Sequence, residues 1–228
     1  MAAPASFAIH QGTTERQWGF AESVEGYARH GIRALTVRRS LVEEYGSAKA
    51  ARLISDAGLQ VLGVSRCASL TEDDPVRIAE NHDENLRAIA LTAELAGTNL
   101  AMISSGPPQG STDLAGARAR AQDALAALLP EARAAGVTLG LEAIHPMRVV
   151  TGCVWSTLGQ ANAVCEELGT GTALIVDAYH VWWDPDLDAA IRAATGRIVS
   201  FQISDWLADT QSVIGSDRGM PGDGVIDL

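Results

Sequence analysis

Val137-Thr138-Leu139-Gly140-Leu141-Glu142 is a short apolar run that closes on a carboxylate. Two later segments repeat the pattern: Ala173-Leu174-Ile175-Val176 leads into Asp177, and Arg197-Ile198-Val199-Ser200-Phe201 leads into Gln202, with Asp205 just beyond. An apolar run of this length, bounded by turn residues and followed by a helical pattern, reads as a buried parallel strand. Polar oxygens at the carboxyl ends of such strands face one shared mouth, which is where a barrel of parallel strands carries its chemistry.

Working outward, strand and helix patterns alternate along the whole chain. Phe7–Ile9 is the first candidate strand, followed by a helix over Ala21–Arg29. Ala34–Val37 and Leu59–Val64 are the second and third strands, separated by a helix over Ala48–Asp56. Asp74-Pro75 opens a long helix to Leu95, with proline at an early position where its missing N–H costs little. Asn99–Ile103 is the fourth strand, and a helix over Leu114–Ala134 precedes the run ending at Glu142. Helices over Leu158–Leu168 and Asp186–Ala194 separate the last three strands. Most helices end within two residues of a glycine, and no G-x-G-x-x-G turn follows the first strand. The expected fold is therefore α/β, a (β/α)8 TIM barrel rather than an open doubly wound sheet, built as one domain over residues 1–228.

Only seven strands are counted. A Gly-rich stretch from Ser204 to Gly224 follows the seventh, and Val225-Ile226-Asp227-Leu228 reads as the opening of another helix. The last strand and its helices are apparently lacking, so the expected barrel is incomplete at its C-terminal end and leaves backbone edges open.

Composition narrows the function classes. The formal net charge of −11 disfavours nucleic-acid binding, which needs clustered Lys and Arg. No apolar stretch approaches the roughly 20 residues of a membrane span. Met1–Phe7 lacks a basic segment before an apolar core, so no secretory signal is expected. Cys67, Cys153 and Cys165 fit neither a zinc knuckle nor a disulfide framework, in keeping with a reducing cytoplasm. A small-molecule substrate fits this profile, and a homo-oligomer is compatible with it.

Glu142, Asp177 and Gln202 end three successive strands, and their oxygens suit one hard divalent cation such as Mg or Mn. An added imidazole tilts such a site toward Mn, Co or Zn. Helix capping and arginine pairing are the bland alternatives for each carboxylate. His145 and His180 each lie three residues past a strand-end carboxylate, within reach of the mouth as substrate contacts or loop-packing residues. Trp182 and Trp183 either wall the pocket against a substrate's apolar face or cover the rim. His10 reads as structural or peripheral, Cys67 as a packing thiol, and Ser104-Ser105-Gly106 as a turn.

Four segments carry a family resemblance: Gly140-Leu141-Glu142-Ala143-Ile144-His145-Pro146-Met147, Val176-Asp177-Ala178-Tyr179-His180-Val181-Trp182-Trp183-Asp184-Pro185, Phe201-Gln202-Ile203-Ser204-Asp205-Trp206, and Met220-Pro221-Gly222-Asp223-Gly224-Val225-Ile226-Asp227. On these the chain resembles the sugar phosphate isomerase/epimerase family, the xylose-isomerase-like TIM barrels. The resemblance implies a divalent metal (Mn, Mg, Co or Zn) held by a Glu, an Asp, a His and a second Glu. Glu142 and Asp177 match the first two. Gln202 stands where many relatives have His, and the second Glu falls beyond Leu228. His180 takes a substrate-contacting role, with His145, Trp182 and Asp205 assigned beside it.

The implied chemistry is metal-dependent isomerisation or epimerisation of a ketose or related sugar, phosphorylated or not, through an enediolate. Glu142 is the base. Without the second Glu, little isomerase activity is expected from these 228 residues. A dehydratase or lyase acting on a cyclic polyol is the alternative enzyme. A non-catalytic sugar-binding or assembly module is the alternative from another class, favoured by Gln202 and the short strand count.

Overall fold

The computed structural model describes residues 7–208 and 218–228. Seven parallel strands form one curled sheet in sequence order. They are β1 (Ile9–His10), β2 (Ala34–Arg38), β3 (Gln60–Ser65), β4 (Asn99–Met102), β5 (Thr138–Glu142), β6 (Thr172–Asp177) and β7 (Ile198–Gln202). Each neighbouring pair is parallel, so every connection must cross back over the sheet. The crossovers carry α1 (Phe20–Arg29), α2 (Arg39–Tyr45), α3 (Ser47–Asp56), α4 (Pro75–Glu94), α5 (Leu114–Ala134), α6 (Leu158–Leu168), α7 (Ala178–Val181) and α8 (Leu187–Ala193). A small antiparallel pair, β8 (Asp205–Trp206) and β9 (Arg218–Gly219), sits beyond β7.

The helix boundaries follow local chemistry. Asp74 accepts hydrogen bonds from the Val76 and Arg77 amides at 3.0 Å, with Pro75 as the first helical residue of α4. Thr157 caps α6 through the Gln160 amide. Gly136 ends the α5 segment at a φ of +69°, a conformation that other residues adopt only with strain.

Two α-helices were not expected from the sequence. α2 follows β2 with no loop between them, and α7 follows β6 in the same way. A strand passing straight into a short helix leaves no turn residue to mark the change. Residues 225–228 form no helix, contrary to expectation. The Val225 and Ile226 amides instead donate to the Trp206 carbonyl and the Asp205 carboxylate, which holds this stretch against β8.

The sheet packs apolar residues on its outer face against the helices. Leu139 and Leu141 of β5 are fully buried with Leu125 and Leu128 of α5 and Leu158 of α6. Among the described residues no strand pairs with the outer edge of β1 or of β7, and Phe201 and Ile203 near that second edge are exposed. Among the described residues the seven-stranded curl is thus the expected barrel without an eighth stave. No helix of the described residues is long and apolar enough to cross a membrane.

Leu139→Ala removes a buried side chain at the centre of this packing. We expect a loss of about 2–5 kcal/mol in urea unfolding, and a loss below about 1 kcal/mol would contradict a close-packed interface between β5 and its helices.

Candidate metal centre and its mouth

Strand register aims the polar side chains. In a parallel pair, residues side by side point to the same face, and residues two apart along a strand share it. Gly140 pairs with Ala101 and Ala173, Glu142 pairs with Ile175, and Asp177 pairs with Gln202. Glu142, Asp177 and Gln202 therefore project from one face at the carboxyl ends of β5, β6 and β7. On the far side of the curl, Arg38 pairs with Ser65 and Ser65 with Ala101, which places Arg38 and Ser65 on that same inner face.

Glu142, Asp177 and His180 form the tightest group. All three are buried, and one potential ligand atom from each lies within 4.8 Å of the others. Asp177 caps α7, its Oδ1 accepting from the Tyr179 amide at 3.0 Å. That single turn of helix carries His180 back over the strand ends. His180 Nε2 lies 4.0 Å from Glu142 Oε1 and 4.0 Å from Asp177 Oδ2. Arg218 of β9 reaches the same place, its Nη1 donating to Asp177 Oδ2 at 2.8 Å and its Nη2 meeting His180 Nε2 at 3.0 Å. Gln202 is half-buried beside Asp177.

The electrostatics follow from burial and from this crowding. Burial, then the charge of Asp177, pushes the Glu142 carboxyl up to about 8, against the opposing pull of Arg218 and Arg66. Burial drives His180 down to about 4; Asp177 pulls the other way, and Arg218, His145 and Arg148 push further down. Both imidazole and carboxyl therefore favour their neutral forms at pH 7.

The donor set suits a divalent cation. Two buried carboxylates meet one neutral imidazole, and among the described residues no Lys or Arg makes an ion pair with Glu142. A buried carboxylate without a charged partner is costly, and a cation bound among these atoms would relieve the cost. Carboxylate and imidazole together match ions of the Mn, Co and Zn type.

Aromatic rings wall the mouth. Trp206 lies 4.9 Å from both His145 and Tyr179, stacked on the latter, and 5.9 Å from Trp182. Trp183 touches His145 edge-on at 5.7 Å and donates its indole N–H to the His180 carbonyl. His145 and Trp182 are thus brought beside the triad. Trp206 is the hub of this cluster, and Tyr179 is fully buried against it. An aromatic residue in a Gly-rich stretch leaves no periodic signal. Trp155, by contrast, is a core residue at 2% exposure.

Asp205 is held differently. It is fully buried, and its two oxygens accept from the amides of Trp206, Gly222, Gly224 and Ile226. Burial opposes its ionisation, but these four amides outweigh it and hold the carboxyl below the ordinary carboxylate value. Its visible work is to fasten the Gly-rich stretch beside the mouth. Cys67 is a buried thiol on the Ile103 carbonyl, raised to about 11 by burial. Ser104 Oγ bonds the Ser105 carbonyl and accepts from the Val154 amide at 3.0 Å, and any side chain at Gly106 would strike the Val150 backbone.

His10 has a hydrogen-bond partner on each ring nitrogen. Its Nδ1 accepts from the Gly12 amide at 3.0 Å, so the proton sits on Nε2, which donates to Ser65 Oγ at 3.0 Å. Burial, then Arg38 and Arg218, lower it to about 4.

Comparison with known proteins adds the family context. The family model for the xylose isomerase-like TIM barrel matches residues 22–228. A solved protein from Sinorhizobium meliloti 1021 is 41% identical, covering 97% of this chain and 81% of its own, with a TM-score of 0.94. The IOLI protein, solved with a zinc atom bound, is 18% identical with a TM-score of 0.81, covering 97% of this chain and 81% of its own. An L-ribulose 3-epimerase is 23% identical with a TM-score of 0.71, covering 92% of this chain and 74% of its own. At these last two identities the likeness is one of fold. No curated protein matches the chain.

A pH measurement checks the buried imidazoles. His10 and His180 are held near 4 when folded and return to about 6.5 when unfolded, so the unfolded chain binds more protons between those values. Stability falls as pH drops from about 6.5 toward 4. His10→Asn, which retains an acceptor for Gly12, is expected to flatten part of that fall in pH-dependent urea titrations. Superimposable wild-type and variant profiles would contradict a neutral, buried His10.

Proposed function

We propose, on the premise that this chain belongs to the xylose isomerase-like TIM barrel family, that it is a metal-dependent isomerase or epimerase of a ketose or related sugar. The observation that carries the reading is the buried group of Glu142, Asp177 and His180 at the carboxyl end of the sheet. Glu142, Asp177 and His180 would hold the ion, with Gln202 beside Asp177 as a neutral oxygen donor. When bound, a divalent ion supplies Lewis-acid polarisation of a carbonyl and its neighbouring hydroxyl.

The chain's own residues account for the rest. A cation held beside Glu142 would favour its ionised form, and that carboxylate is the base that takes the proton from the carbon next to the carbonyl, giving an enediolate. Its burial favours the neutral acid once it has accepted that proton, so it can return the proton to substrate. The wall of His145, Trp182 and Trp206 gives a sugar ring or chain an apolar surface to lie against and screens the site from water. Asp205 acts on the site through the stretch it fastens, whose Arg218 lies across the mouth.

Removing a proton needs only one base, so exchange with solvent deuterium is the readout that depends on Glu142 alone. In D2O with Mn present, NMR of a panel of ketoses and ketose phosphates is expected to show exchange at the carbon beside the carbonyl for at least one sugar. Glu142→Gln is expected to slow it about 100-fold or more. Water loss from the substrate would move the assignment to a dehydratase. Absence of exchange across the panel, or full exchange by Glu142→Gln, would contradict the proposal.

A further inference from the structure

We infer that Arg218 is a resident cation of this site, whose guanidinium competes with a divalent ion for the same two atoms, Asp177 Oδ2 and His180 Nε2. The inference rests on the metal-site reading above and adds a rule for how the site loads.

The geometry makes the two occupants exclusive. An arginine side chain only donates hydrogen bonds. His180 Nε2, at 3.0 Å from Arg218 Nη2, is therefore the acceptor, and the imidazole proton lies on Nδ1. That Nδ1 is buried with no hydrogen-bond partner among the described residues. The lone pair on Nε2 is the one an ion would use, and Nε2 lies 4.0 Å from Glu142 Oε1. Asp177 has no spare arrangement either, since Oδ1 serves the Tyr179 amide and Oδ2 serves Arg218 at 2.8 Å. An ion ligated by Oδ2 and Nε2 would meet the fixed positive charge of the guanidinium at contact distance. Repulsion in so buried a place is strong.

Arg218 also has partners outside the ligand group. Its Nη1 bonds Ser204 Oγ at 2.8 Å, and its guanidinium carbon lies 4.3 Å from the centre of the Tyr179 ring. These contacts offer the guanidinium somewhere to stay once it gives up Asp177 and His180. Without an ion, Arg218 neutralises Asp177 and steadies the folded chain. With an ion it is displaced from both atoms.

Calorimetric titration with MnCl2 tests this on the wild-type chain, Arg218→Met and Arg218→Lys. Arg218→Met is expected to bind Mn about tenfold more tightly or better, and Arg218→Lys to fall between, keeping charge without the planar fork. Thermal unfolding supplies a readout that needs no activity: Arg218→Met melts lower than wild type without metal and gains more from added Mn. Should Arg218→Met prove too unstable to titrate, the Lys variant carries the test alone. Equal or weaker Mn binding by the variants would overturn the competition while leaving the metal site standing. No Mn binding by any of the three proteins would overturn the metal-site reading and the competition together.

Discussion

Two acids that lie close together out of water set the terms for this molecule. Glu142 and Asp177 leave adjacent strands on the same face, and both are almost fully buried. Such a pair cannot remain doubly ionised without a positive partner. The fold meets the need in two ways: burial raises Glu142 so that it holds its proton, and β9 delivers Arg218 to Asp177. Stability alone would be served by two apolar residues in these positions. Retaining the pair makes physical sense where a cation and a movable proton are wanted at one place.

The rest of the architecture holds that pair in register. Leu139 and Leu141 fix β5 from behind, so Gly140 and Glu142 can only face inward. α7 begins on the Asp177 carboxylate itself, so one side chain ends a strand, caps a helix and orients His180. Asp205 performs a similar task for the Gly-rich stretch by gathering four amides, and that stretch carries Trp206 and Arg218 to the site.

The fold was legible because its signal is periodic. Short apolar runs spaced by amphipathic helices locate six of the seven strands to within one residue, and the helix spans over Leu114–Ala134 and Leu158–Leu168 match in full. β1 is shorter and shifted toward His10, which reads as a loop residue in sequence. Glu142, Asp177 and Gln202 were legible as strand-end oxygens. The intimacy of His180 with the two carboxylates was not, because it depends on the single turn of α7, too short to leave a pattern. The stacking of Tyr179 on Trp206 and the bond from Arg218 to Asp177, 41 residues away in the chain, follow from no local rule.

The most direct test of the central claim is a crystal structure of the chain grown with Mn, using anomalous scattering to place the ion. The account expects one Mn site in contact with Glu142, Asp177 and His180, with the Arg218 guanidinium withdrawn from Asp177 Oδ2. An ion bound elsewhere, with Arg218 still on Asp177 and Glu142 untouched, would contradict it.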